Sequence, residues 1–303
     1  VTKELEITLT GKNCGLEERA PMCGIPYHAA DSYINKLVTK GYKVAICEQV
    51  EDPKLAKGLV KREVIRIVTP GTNISSQALD ETKNNYLMCI VYEGDTIGIS
   101  IVDVSTGDYY VTEVDSGRVL IDEINKFAPS EIICNEAFHM SGIDIDDFIR
   151  RMNITVSSLD TWYLDEDLCK RTLLTHFNLK SIDGLGLADY PTGIIASGAL
   201  MQYLIETQKN SLAHITRLIP YATGKYMETL REKQKRGSLL WVLDKTKTAM
   251  GARRMRTVIE QPLVEKEGIL KRQDAVANLV ENAIVREELR EYLNPVYDFE
   301  RIM

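Results

Sequence analysis

The chain has 303 residues, 44% of them hydrophobic and 27% charged, with a formal net charge of −7. That length is about two or three times the usual domain size, so two or three domains are expected, and the ordinary apolar content excludes a disordered polypeptide. No uninterrupted apolar run reaches the ~20 residues of a membrane helix, and the opening "VTKELEITLT" lacks a secretory signal's layout, so a cytoplasmic chain with no membrane partner is expected.

Taken in chain order, residues 1–75 mix periods. Ala30, Tyr33, Ile34, Leu37 and Val38 follow helical spacing, Gly41 ends that helix, and Val44, Ile46 and Gln49 open a strand. A second strand, "REVIRIV", stops at the turn "TPGT", which makes a small mixed α/β lobe with one helix against a sheet. Residues 76–85, "SQALDETKNN", read as a polar linker. Three strand-like runs follow, "YLMCIVY", "TIGISIVDV" and "DYYVTEV", parted by the turns "EGD" and "STG". A helix at "RVLIDEINKF", a strand at "EIICN", and helices around "DLCKRTLLTHF" and "GIIASGALMQYLIETQK" complete residues 86–208 as an RNase H-like α/β domain. Residues 209–303 turn helical, and Pro262 and Pro295 mark breaks or kinks. The fold class is therefore multidomain α/β followed by α.

Charge is divided along this layout. Residues 1–75 carry 11 basic and 9 acidic side chains, residues 76–220 carry 10 and 22, and residues 221–303 carry 16 and 13. Phosphate neutralisation needs Lys and Arg, so a nucleic acid would be held by the flanks and repelled by the middle.

Several chemistries are weighed on this frame. The six cysteines (Cys14, Cys23, Cys47, Cys89, Cys134, Cys169) include no CxxC pair and are expected to be reduced and mostly buried. Cys14, Cys23 and His28 match no usual zinc spacing, so no metal is expected. No GxxxxGK[ST] occurs, which leaves no P-loop nucleotide site. Asp103, Asp108 and Asp122 raise the alternative of a metal-dependent RNase H-like nuclease, but Asp103 and Asp108 flank a turn where Asp is favoured for local reasons. Residues 228–256 carry nine basic and three acidic side chains, either a solvated helix face or a DNA contact.

Two long motifs carry a resemblance. "APMCGIPYHAADSYINKLVTKGYKVAICEQVEDP" with "VKREVIRIVTPGT" is similar to the mismatch-recognition domain of the bacterial MutS family of DNA mismatch repair proteins, and "ETLREKQKRGSLLWVLDKTKTAMGARRMRTVIEQPL" is similar to that family's core segment. The resemblance implies three parts: a partial mismatch-recognition domain (1–75), an RNase H-like connector (86–208), and the start of a helical core and lever domain (209–303). It also departs from the family. The family's Phe-x-Glu wedge does not occur at the start of these residues, an Asn-Leu-Glu-Leu run is missing where Met227 meets Glu228, and the ATPase domain that would bind ATP and Mg²⁺ lies beyond them. The expectation is a non-catalytic piece that by itself discriminates mismatches poorly.

The family's partners are implied with it: duplex DNA with mismatches, MutL through the connector, and a second copy in a homodimer, associated with the nucleoid when on DNA. By type, Met22, Gly24, Pro26, Tyr27 and His28 fit a minor-groove contact surface, and Lys12 in the "TGKN" loop fits a phosphate contact. The alternative for Tyr27 and His28 is local structure, with His28 or Asp31 capping the following helix.

Overall fold

The computed structural model describes residues 1–15, 18–52, 60–75, 79–209, 212–221, 223 and 239–301. It divides into two compact units, Val1–Leu79 with Asn85–Thr223 and Asp80–Asn84 with Gly224–Met303.

The heart of the first unit is a six-stranded sheet. β5 (Leu87–Glu93), β6 (Thr96–Asp103) and β7 (Asp108–Val114) form an antiparallel meander, and β8 (Glu131–Cys134) and β9 (Thr155–Ser158) add in parallel beyond β5. The short β10 (Ile219–Pro220) lies parallel to β7. With β5 counted first, the order β7-β6-β5-β8-β9 reads 3-2-1-4-5, the RNase H-like arrangement expected from sequence.

The period of two sorts side chains onto two buried faces. Leu87, Cys89, Val91, Tyr109, Val111 and Ile133 enter one apolar cluster, and Met88, Ile90, Ile99, Ile101, Tyr110 and Ile132 enter the other. Helix α7 (Pro191–Gln208) covers the first face and packs against α6 (Glu166–Phe177). The α6–α7 approach is close enough that a Cβ on Gly198 would lie 2.3 Å from that of Cys169. Helix α3 (Gly117–Phe127) supplies Leu120, Ile124 and Phe127 to the second face, and Ser116 caps it by accepting from the Val119 N–H. Helices α4 (Glu136–Met140) and α5 (Asp146–Met152) fill the β8–β9 crossover.

The lobe before this sheet is thinner. It contains α1 (Thr2–Leu5), a ribbon of β1 (Thr10–Lys12) and β2 (Ala20–Met22), α2 (Ala30–Val38), and a two-stranded antiparallel pair, β3 (Val44–Gln49) and β4 (Arg62–Val68). The expected helix and two strands are present; the separate ribbon was not anticipated.

In the second unit, α8 (Leu239–Leu243), α9 (Ala249–Glu260), α10 (Lys266–Glu281) and α11 (Ala283–Leu293) account for the helical reading. Pro262 and Pro295 each fall just past a helix end, so they act as stops rather than kinks. Arg253 on α9 is buried and forms a bidentate pair with Asp298 at 2.7 Å, with Glu300 as a second partner and the Glu81 carbonyl at 2.8 Å as a third. Desolvation opposes the charge of this guanidinium, but the hydrogen bonds it donates to two carboxylates more than offset that and push its pKa up. Residues 228–238 of the basic run, and the Met227–Glu228 junction, lie outside the described residues.

Among the described residues no helix is long and apolar enough to cross a membrane. Cys89, Cys134 and Cys169 are buried and all six cysteines are free, but Cys14 and Cys47 are exposed. The expectation of mostly buried thiols fails at Cys47 because it lies in the outer half of β3, where Cys47, Glu48 and Gln49 are all exposed in a sheet of two strands.

Candidate nucleic-acid interface

The ribbon and the turn after it gather the six residues singled out from sequence. Thr10 pairs with Met22, Gly11 with Pro21 and Lys12 with Ala20, so Thr10, Lys12, Ala20 and Met22 share one face. The Thr10 hydroxyl donates to the Met22 carbonyl at 2.8 Å and pins that register. Lys12 was expected in a loop; it instead ends β1, diagonal to Met22, because the strand pairing extends one residue further than the Gly-Lys-Asn stretch suggests. The ammonium of Lys12 is exposed, and Met22 retains 46% exposure beside it.

From Met22 the chain runs through Cys23, Gly24 and Ile25 to Pro26. Pro26 has φ −61° and ψ 139°, and its carbonyl accepts from the Ala29 N–H at 3.0 Å to close a single 3-10 turn over Tyr27–Ala29. Pro fixes the entry angle, and the turn then leads directly into α2. A Cβ added at Gly24 would meet nothing within 4 Å, so no packing demands glycine there and the outer side is open to a ligand.

Tyr27 is 89% exposed and His28 is exposed. The helix-cap alternative is not realised: the residue preceding α2 is Ala29, and no side chain caps the helix. A ring so exposed contributes little to the fold.

The other chemistries resolve differently. Among the described residues no three His, Cys, Asp or Glu side chains converge on a metal-sized site. Asp103 is fully buried and accepts from the Ser105 N–H at 2.8 Å, the Ser105 hydroxyl at 2.6 Å and the Asn85 N–H at 3.1 Å. Asp108 sits opposite it across the hairpin and accepts from the Thr106 hydroxyl at 3.0 Å, while Asp122 lies exposed on α3. Asp103 and Asp108 serve the hairpin turn and Asp122 stands apart on α3, so the three carboxylates do not converge and the nuclease alternative is set aside.

Sequence reasoning missed a second set of residues. Glu131 at the start of β8 is fully buried. One of its oxygens accepts from the Thr69 hydroxyl at 2.5 Å and the Gly71 N–H at 3.0 Å; the other accepts from the Tyr203 hydroxyl at 2.9 Å and lies 3.5 Å from the Lys43 ammonium. Lys43 also donates to Ser157 and Tyr203, each at 3.1 Å. Burial and the neighbouring Glu131 charge raise the pKa of the Tyr203 phenol, keeping it a donor at any ordinary pH. The only sequence signal here was the "TPGT" turn, which reads as a strand stop and says nothing of a partner sixty residues away.

An exposed ribbon and turn on a small lobe, an RNase H-like sheet domain and a helical third part have the layout of a modular scaffold, with no converged metal cluster among the described residues. Residues 1–77 match the family model for MutS domain I, residues 85–216 that for MutS domain II, and residues 222–303 that for MutS domain III. The chain belongs to the MutS family. The DNA mismatch repair protein MutS of Lachnoclostridium phytofermentans is 61% identical over 315 residues, covering 100% of this chain and 34% of that protein. Those of Ruminiclostridium cellulolyticum and Acetivibrio thermocellus are each 49% identical, covering 100% of this chain and 36% of theirs. The chain thus spans about a third of the length of the curated relatives it matches.

Proposed function

We propose that this chain supplies the mismatch-recognition and connector parts of a DNA mismatch repair protein, and that its lobe engages duplex DNA containing mispaired or unpaired bases. The observation that carries this reading is the exposed Lys12, Met22 and Tyr27 group on a domain that matches MutS domain I. A mispaired step costs less to bend and unstack than a matched one, so a surface that binds bent DNA discriminates without reading sequence. In this reading Lys12 holds a flanking phosphate, and Met22, Gly24, Pro26, Tyr27 and His28 approach the sugar edges of the minor groove.

The acidic connector suits protein contact better than DNA contact, and MutL is the partner proposed for it. Pull-down of MutL that survived deletion of residues 85–205 would count against that role. Nucleotide chemistry is proposed to lie elsewhere: these residues hold no P-loop motif, so ATP and Mg²⁺ are assigned to a separate ATPase domain and these residues alone are expected not to hydrolyse ATP. The working unit is proposed to be a homodimer in the bacterial cytoplasm.

The test is a fluorescence-anisotropy titration of the complete protein on matched and G·T duplexes over a salt series. The reading expects tighter binding to the G·T duplex and weaker binding to both when Tyr27 is replaced by Ala. Equal affinity for the two duplexes in the unaltered protein would overturn it.

A further inference from the structure

We propose that Glu131 is a positioning residue, the centre of a rigid joint that holds the DNA-facing lobe at a set orientation on the connector so that bent DNA cannot push the lobe aside. This rests on the reading of the lobe as the DNA-binding part.

The joint is the segment Thr69–Asn73, where β4 ends. Thr69, Gly71, Thr72 and Asn73 are all buried although they lie in a turn. On one side Gly71 is seated against the connector's first strand: a Cβ there would lie 2.8 Å from the Leu87 Cβ and 3.0 Å from the Glu131 Cβ. On the other side the Asn85 amide donates to the Pro70 carbonyl at 3.0 Å and the Asn73 carbonyl at 3.1 Å, and its oxygen accepts from Ser130 at 2.6 Å. Within the turn, Thr69 and Thr72 hydroxyls bond each other at 2.9 Å.

The Glu131 carboxylate makes the joint all-or-none. Three of its four partners, Thr69, Gly71 and Lys43, belong to the lobe, and only Tyr203 belongs to the connector. A lobe that swung away would strip two hydrogen-bond donors and the Lys43 cation from a carboxylate with no exposure to water, and an uncompensated buried charge is strongly disfavoured. Intermediate orientations are therefore not populated. The lobe's own apolar core is small, with only Leu5, Val38 and Val68 buried among its described apolar side chains, and its further ties to the connector are the packing of β4 against α7 and peripheral hydrogen bonds such as Asn153 to the Thr39 carbonyl.

Recognition by deformability requires such stiffness. Bent DNA exerts an elastic restoring force, and a lobe on a soft hinge would yield to it, letting matched DNA relax in place and erasing the energy difference being read.

The test uses the complete protein with Glu131→Gln and Tyr203→Phe, and Lys43→Met in case the first does not fold. Spin labels sit at Cys47 on β3 and at an introduced Asp122→Cys on α3, with the other accessible cysteines changed to Ser. The proposal expects a single narrow label-to-label distance in the unaltered protein and a broadened distribution in the variants. It also expects a roughly tenfold loss of preference for a G·T over a matched duplex, with matched-duplex affinity unchanged. A lowered melting temperature with unaltered distance distribution and unaltered preference would mark these residues as structural only and overturn the proposal. Absence of any mismatch preference in the unaltered protein would overturn the DNA reading instead; the joint would then stand on a broadened distance distribution and fall on an unchanged one.

Discussion

The connector and the lobe that precedes it are held together by different means. The connector buries two apolar clusters, one on each face of its sheet, and α7 is enclosed along nearly its whole length. The lobe is two pairs of strands and two helices with three buried apolar side chains among its described residues, and it leans on the connector through a polar joint. An apolar core tolerates slow variation in shape, whereas a buried carboxylate ringed by donors accepts one arrangement. The lobe thus keeps its outer surface open for a ligand and obtains its orientation from its neighbour.

The largest expected effect is on the connector. Leu200→Ala removes a fully buried side chain from the cluster beneath α7 and is expected to cost about 3 kcal/mol in chemical denaturation. The same truncation at Leu9, 61% exposed in the lobe, is expected to stay within about 0.5 kcal/mol, and a comparable loss at both sites would break the contrast. Next, Gly198→Ala drives a methyl into Cys169 and is expected to cost about 2 kcal/mol, measurable by the same method.

Thiol chemistry sharpens the comparison further. Burial raises Cys134 and Cys169 to about 12 and Cys89 well above its usual value, so these thiols stay neutral and sheltered while exposed Cys14 and Cys47 react. Alkylation followed by mass spectrometry should label the lobe cysteines first and the connector cysteines only on unfolding. The raised folded-state values also carry a sign: their stabilisation is complete below the unfolded thiol pKa, near 9, and is lost as pH climbs from there toward about 12. A melting temperature flat up to pH 8.5 and falling above it is expected.

On the lobe surface the effects move from stability to binding. Lys12→Glu is expected to leave the melting temperature unchanged, weaken matched and mismatched duplexes alike, and reduce the salt slope of binding by about 1. An unchanged slope would remove Lys12 from the phosphate-contact role. Smallest of all, Tyr27→Ala is expected to alter stability by less than about 0.5 kcal/mol while lowering DNA affinity, since its ring is almost fully exposed.

Legibility in the sequence followed the same divide. The β5–β6–β7 meander was readable because three short strand-like runs are parted by the "EGD" and "STG" turns, and α6 and α7 were readable from continuous helical runs. β9 escaped because "TVSS" is four residues with only partial burial, and the β1–β2 ribbon escaped because strands of three residues carry no periodicity. Met22 through His28 were legible by residue type and family motif, whereas the joint joins Lys43, Thr69, Gly71, Glu131 and Tyr203 across 160 positions and leaves no local trace.

The most direct measurement is photo-crosslinking of the complete protein to a duplex with a photoreactive base beside a single G·T mismatch, followed by peptide mapping. The account predicts crosslinks to Met22, Tyr27 or His28 that fade when the mismatch is replaced by a matched pair. Crosslinks confined to the connector, or equally strong at these residues on matched DNA, would contradict it.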